Sequence, residues 1–136
     1  MDITSFDIKA YFDSLDPKRL EDMHTLFNMG QRITGEKPAV WGSILGFGKL
    51  HYRYPTGTQG FMPTLGFASR KQSLTIYPSL DVAQYEELKE LGTFTHGKSC
   101  LYIKKLSDVR LDVLERIMRR GYQEALGYDF VTPVEY

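Results

Sequence analysis

Short segments in which apolar and polar residues alternate, separated by only a few turn residues, occupy the middle of this chain. From residue 41 to residue 77 the apolar period falls to about 2, the period of a strand. Residues 49–54 alternate most clearly, with a leucine and two tyrosines on one side and Lys49, His51 and Arg53 on the other. Residues 64–68 and 73–77 alternate in the same way. Because parallel neighbours need a long crossover, these short connections predict antiparallel strands.

Helical signals precede this region. Asp16 is a preferred N-cap residue, and Pro17 suits a first helical position, where its missing N–H would have no partner anyway. Apolar residues then recur at helical spacing as far as Gly35, which favours the left-handed conformation that ends a helix. The sequence therefore predicts a helix over residues 17–34, with a short helix or ordered arm within residues 6–15.

The second half of the chain repeats both kinds of signal. Asp81 and Gly92 predict the two ends of a short helix, residues 100–104 alternate as a strand does, and Ser107 predicts the start of a last helix that Gly121 and Gly127 weaken. Residues 128–136 are predicted to be irregular. We expect a single α+β domain over residues 1–136, a two-layer fold in which helices pack on one face of an antiparallel sheet. That face is predicted to carry Leu50, Tyr52, Leu65, Phe67, Leu74, Ile76, Leu101 and Ile103.

The composition is that of an ordinary folded domain and narrows the choice of partners. Hydrophobic residues make up 42% of the 136 residues, and 17 basic side chains balance 17 acidic ones. A net charge of zero gives no general attraction to nucleic acid or to an anionic membrane, so neither partner is favoured. One cysteine forms no internal disulfide, and no apolar run reaches the ~20 residues of a membrane helix. We expect a cytoplasmic protein, and the oligomeric state stays open.

Residues 37–80 contain five basic residues and no acidic residue. Strands are poor in Asp and Glu but also in Lys, so strand propensity does not explain this imbalance. If the basic side chains of residues 49–53 share a face with Thr75 and Tyr77, one face of the sheet is basic. The sequence thus favours a non-enzymatic module that binds a small anion or an acidic protein surface, while a solvated face without a ligand is the simpler alternative. The predicted binding residues are Arg53, Arg70, Lys71, Tyr77 and Lys98.

Residues 92–99 match the letters of a phosphate-binding P-loop, G-x-x-x-x-G-K-[ST]. A P-loop follows a strand and leads directly into a helix, whose N-terminus faces the phosphates. Here the predicted helix precedes the motif and the predicted strand follows it. We therefore expect a connecting loop in which Lys98 acts, if at all, as a single anion-binding side chain.

Carboxylates offer a second kind of site. Glu86 and Glu90 lie four residues apart on the predicted helix that begins at Asp81. Carboxylate oxygens are ligands for hard cations, although acids at this spacing are also typical of a solvated helix face. The leading interpretation needs no cofactor, and these two residues are the metal-binding alternative.

Three stretches of sequence resemble the YdhG-like family of small domains of unknown function. They are residues 40–48 with the following 51–54, residues 66–77, and residues 91–106, and together they span most of residues 17–125. The resemblance implies an α+β fold with an antiparallel sheet flanked by helices, and it supplies no catalytic residues. Some relatives are described as frataxin-like intracellular iron chaperones, so the resemblance also implies iron as the metal of the alternative site.

Overall fold

Nine strands and four helices build the fold in the computed structural model, which describes all of residues 1–136. The strands are β1 (Pro38–Trp41), β2 (Ile44–Phe47), β3 (Leu50–Arg53), β4 (Gln59–Met62), β5 (Leu65–Ser69), β6 (Leu74–Tyr77), β7 (Thr95–His96), β8 (Leu101–Ile103) and β9 (Val131–Pro133). The helices are α1 (Ile8–Asp13), α2 (Leu20–Thr34), α3 (Leu88–Leu91) and α4 (Leu111–Leu126). Single 3-10 turns cover Pro17–Arg19, Val82–Gln84 and Leu106–Asp108.

Six of the strands form one antiparallel sheet in the order β1-β2-β5-β6-β8-β7. Helices α2 and α4 are amphipathic and pack their apolar stripes on one face of it. At the centre Gly30 of α2 faces Phe47, and a Cβ at this glycine would overlap the phenylalanine ring. The predicted α+β class, the antiparallel pairing and the helix-covered face are confirmed. No helix of the structure combines the length and the apolar character needed to cross a membrane.

Strand β3 does not belong to this sheet. It pairs with β4 and β9 in a separate three-stranded sheet. The predicted basic face, which joined Lys49, His51 and Arg53 to the open face of the main sheet, is therefore wrong. Leu50 and Tyr52 likewise do not belong to the helix-covered face of the main sheet. Alternation along a strand determines which of its side chains share a face, but it does not identify the neighbouring strand.

The three-stranded sheet covers part of the second face of the main sheet. Phe61 of β4 and Tyr136 of the tail pack against Trp41, Ile44 and Ala68. The tail, predicted to be irregular, instead supplies β9, and the Tyr136 hydroxyl accepts a hydrogen bond from the Gly48 N–H at 2.9 Å. The tail lacks alternation, so its pairing with β3 leaves no signal in the sequence.

The helix ends agree with the predictions in the first half of the chain and differ in the second. Asp16 caps the 3-10 turn that leads into α2, and Gly35 ends α2 with a φ of 63°. The predicted helix over residues 81–91 is instead a 3-10 turn and the single turn of α3, and the Asp81 side chain forms no cap hydrogen bond. Ser107 lies inside a 3-10 turn, and α4 begins after Arg110 without a side-chain cap.

An ion pair joins the two long helices and predicts a dependence of stability on pH. The Arg32 guanidinium lies 2.5 Å from one oxygen of Glu115, and Arg119 lies 3.1 Å from the other. The hydrogen bond from Arg32 holds the pKa of Glu115 below its ordinary value. A lowered pKa stabilises the fold above the unfolded-state value of about 4.3, and this stabilisation is lost as the pH falls through the folded-state pKa.

We therefore expect Glu115→Gln to lower the free energy of unfolding by about 0.5 kcal/mol at pH 7 and by less near pH 3, where the carboxyl group of the unfolded chain is protonated. Urea unfolding at both pH values measures this. Glu135→Gln, which removes an exposed carboxyl group outside any ion pair, is the matched control and should change neither value. If Glu115→Gln lowers the free energy of unfolding equally at both pH values, the effect does not come from the negative charge of Glu115.

Candidate anion-binding site

Three segments that are distant in sequence converge on a cleft of about 290 Å³ that no hydrophobic residue lines. They are the 3-10 turn before α2, the turn between β5 and β6, and the residues that follow β8. We call this the basic cleft. Its lining side chains are Lys18, Arg19, Asp22, Lys71, Gln72, Lys104 and Lys105.

Hydrogen bonds from backbone N–H groups hold these segments in place. The Arg70 N–H donates to the Ser73 carbonyl at 2.8 Å and closes the turn that carries Lys71. The Leu106 N–H donates to the Asp22 carboxylate at 3.1 Å, which joins α2 to the residues after β8. The cleft is therefore built on element ends that are fixed by the scaffold.

Arg19 is the only charged side chain of the protein that is almost fully buried, with 6% of its surface exposed. Its guanidinium donates to the Lys104 carbonyl at 3.0 Å, and no carboxylate lies within 4.0 Å of it. Removing a charge from water without an opposite charge costs several kcal/mol. The buried part of the cleft thus holds a positive charge that no carboxylate pairs with directly, although Asp22 lines the same cleft.

The other cations of the cleft are also poorly neutralised. Lys71, Lys104 and Lys105 form no ion pair, and Lys18 lies 3.7 Å from the exposed Asp16. By contrast, all three arginines within α4 lie within 4.0 Å of a carboxylate. Four cations without an ion pair thus line one cleft together with Lys18, and this local excess of positive charge favours an anion there.

Arg70 and Tyr77, two of the predicted site residues, contact each other beside the basic cleft. The Arg70 guanidinium donates to the Tyr77 hydroxyl at 3.1 Å and to the Ser43 hydroxyl at 2.5 Å. Arg70 lines an adjoining cleft of about 430 Å³ that shares Lys18, Arg19 and Lys71 with the basic cleft. Tyr77 also lines an apolar cavity of about 160 Å³. The structure therefore brings Arg70, Lys71 and Tyr77 into one neighbourhood.

The structure places Arg53 and Lys98 elsewhere. Arg53 ends β3 in the three-stranded sheet, where its N–H donates to the Phe130 carbonyl at 2.8 Å. Lys98 is exposed on the loop between β7 and β8, and no helix follows it. The predicted order around residues 92–99 is confirmed, since the helix α3 precedes the motif and the strand β8 follows it, with the two-residue strand β7 in between. Neither Arg53 nor Lys98 lines the basic cleft.

The predicted binding residues left out four cations of the cleft: Lys18, Arg19, Lys104 and Lys105. Arg19 and Lys104 are 85 residues apart, so their proximity follows only from the packing of the 3-10 turn before α2 beside the residues after β8. The sequence offers one signal for these cations: two adjacent basic residues stand at the start of the predicted first long helix, Lys18 and Arg19, and two more at the end of the predicted last strand, Lys104 and Lys105.

A second cleft, of about 450 Å³, adjoins the basic cleft, since Gln72 and Lys104 line both. We call it the aromatic cleft. The side chains that define it are Gln72, Thr93, Phe94, Tyr102, Lys104 and Asp108. Two aromatic rings and one carboxylate thus lie next to the five cations.

The carboxylates of the metal-binding alternative are not assembled into a cluster. Glu86 is exposed and precedes α3, and Glu90 lies 3.5 Å from Arg116. Nowhere do three or more His, Cys, Asp or Glu side chains come together in an arrangement that could hold a metal ion. Iron binding at Glu86 and Glu90 stays a prediction that rests on two separated side chains.

Comparisons of this chain with family models, with curated proteins and with solved structures find no match. The resemblance to the YdhG-like family therefore stays a prediction. What the basic cleft does has to be derived from the residues of this chain alone.

Proposed function

We propose that this protein is a non-enzymatic, cytoplasmic module that binds a small anion carrying a phosphate group in the basic cleft. The observation that carries the proposal is the buried Arg19, which has no carboxylate partner and lies among four lysines, three of which have none either. A bound anion would supply the missing opposite charge.

The shape of the cleft supports a small anion over an acidic protein surface. Arg19 has only 6% of its surface exposed, so a flat protein surface has little access to it. A small anion that enters the cleft can accept hydrogen bonds from the guanidinium and from the surrounding ammonium groups. Such charge-assisted hydrogen bonds are stronger than neutral ones.

The excess of cations supports a phosphate group over a carboxylate. Five cationic side chains and one acid line the cleft. A phosphate carries up to two negative charges and several acceptor oxygens, whereas a carboxylate carries one charge and two oxygens. Arginine and lysine are the side chains that proteins use to bind phosphate.

Unfolding with and without inorganic phosphate tests the proposal through Arg19→Met. At about 100 times its Kd, phosphate should raise the free energy of unfolding of the natural protein by about 2.7 kcal/mol. In Arg19→Met this increase should disappear. The stability of the variant without phosphate should be unchanged or higher, because an apolar side chain of similar length replaces an unpaired buried charge.

Arg116→Met is the matched control, since Arg116 is an exposed arginine that is paired with Glu90 and lies outside the cleft. It should respond to phosphate as the natural protein does. Two results would contradict the proposal. One is the absence of any stabilisation of the natural protein by phosphate, and the other is an equal loss of the effect in both variants.

A further inference from the structure

The basic cleft and the aromatic cleft adjoin each other. Gln72 and Lys104 line both, and the volumes are about 290 and 450 Å³. A phosphate alone would occupy the first and leave the second, larger cleft to solvent. A ligand that fills both clefts has an anionic end and an uncharged end joined together.

The aromatic cleft contains an exposed aromatic ring, whereas most large apolar side chains of this protein are buried. Tyr102 of β8 is 37% exposed, and its hydroxyl accepts a hydrogen bond from the Cys100 thiol at 2.9 Å. The half-buried Phe94 lines the same cleft and packs against the core. Exposed rings of this kind stack on the faces of nucleic-acid bases, whatever the base.

The aromatic cleft also contains a free carboxylate. Asp108 lines it and forms no ion pair, and its backbone carbonyl accepts a hydrogen bond from the Thr93 N–H at 3.0 Å. This carboxylate would repel a phosphate, and only one cation, Lys104, accompanies it here against five beside Asp22 in the basic cleft, so the anionic end is favoured in the basic cleft. It is suited to accept hydrogen bonds from the hydroxyl groups of a ribose, the role of an acidic residue in many nucleotide sites.

We propose that the ligand is a nucleoside monophosphate, with its phosphate in the basic cleft, its ribose at Asp108 and its base against Tyr102. The inference rests on the proposed function, because it assigns the phosphate to the basic cleft. Along the two clefts, the cations, the Asp108 carboxylate and the Tyr102 ring are suited to the phosphate, the ribose hydroxyl groups and the base of such a ligand, respectively.

Calorimetric titration with adenosine monophosphate, ribose 5-phosphate and inorganic phosphate tests the inference on the natural protein. The nucleotide should bind about tenfold more tightly than either of the other two, since only the nucleotide stacks on Tyr102. In Tyr102→Ala this advantage should be lost, while the affinity for inorganic phosphate should stay the same. Tyr54→Ala is the matched control, because Tyr54 is also 37% exposed but lies beyond β3 in the other sheet.

The outcomes separate this inference from the proposed function. Equal affinity for all three ligands would overturn the nucleotide assignment and leave phosphate binding in place. Ribose 5-phosphate binding as tightly as the nucleotide would overturn the role of the base. No binding of any of the three would overturn both proposals. These comparisons among ligands use the natural protein and need no variant to fold.

Discussion

Replacing Lys71 and Lys104 together by glutamate should abolish the binding of phosphate. The side chains that line the basic cleft would change from five cations and one anion to three of each. Two charge-assisted hydrogen bonds would be lost, each contributing about 1.5 kcal/mol or more, and two repulsive charges would be gained. The affinity should fall at least about a hundredfold, which calorimetric titration with inorganic phosphate measures.

The matched control is the double charge reversal Lys89→Glu with Lys98→Glu. Both lysines are exposed, neither forms an ion pair, and neither lines the basic cleft. The control changes the net charge of the protein by the same amount, so it isolates the local effect from the general one. A similar loss of affinity in both double variants would show that phosphate binding depends on the net charge of the protein and not on this cleft.

Gly121→Ala should lower the free energy of unfolding, although helix propensity alone predicts the opposite. Gly121 lies within α4 and faces Pro78, and a Cβ at this position would lie 2.6 Å from the Pro78 carbonyl carbon. Alanine raises helix propensity by about 1 kcal/mol, whereas forcing α4 away from the backbone after β6 costs about 3 kcal/mol. The expected net loss is about 2 kcal/mol.

Gly127→Ala is the control for this prediction. Gly127 follows the end of α4 with a φ of −95°, and a Cβ there would meet its nearest atom at 3.6 Å, which is ordinary contact. The variant should be neutral or more stable by about 0.5 kcal/mol, because the unfolded chain loses freedom. Urea unfolding of both variants measures the difference. Stabilisation by Gly121→Ala would mean that α4 does not approach Pro78 this closely.

These two glycines show what a single sequence does and does not reveal. As letters, Gly121 and Gly127 both weaken the end of a predicted helix. In the structure Gly121 is required by the close approach of another segment, while Gly127 only follows the helix end. A close approach depends on tertiary packing, which leaves no periodic signal along the chain. The prediction therefore places the helix near these positions but misses the reason for Gly121.

The same limit explains which parts of the fold and of the site were predictable. Alternation identified β3 as a strand, yet it assigned the strand to the wrong sheet, because pairing depends on contacts distant in sequence. Of the predicted binding residues, Lys71 lines the basic cleft, while Arg70 lies beside it and contacts Tyr77. Arg19 and Lys104 are 85 residues apart in the sequence. They were not predicted to lie together, because only the packing of the folded chain brings them into contact.

Crystals grown with tungstate, a heavy tetrahedral analogue of phosphate, test the central claim most directly, because the anomalous signal of tungsten locates the anion. We expect the strongest anomalous peak in the basic cleft, where the oxygens of the bound tungstate lie within hydrogen-bond distance of the Arg19 guanidinium and of the Lys71 or Lys104 ammonium group. An empty basic cleft, with tungstate bound instead at Arg53, at Lys98 or nowhere on the protein, would contradict it.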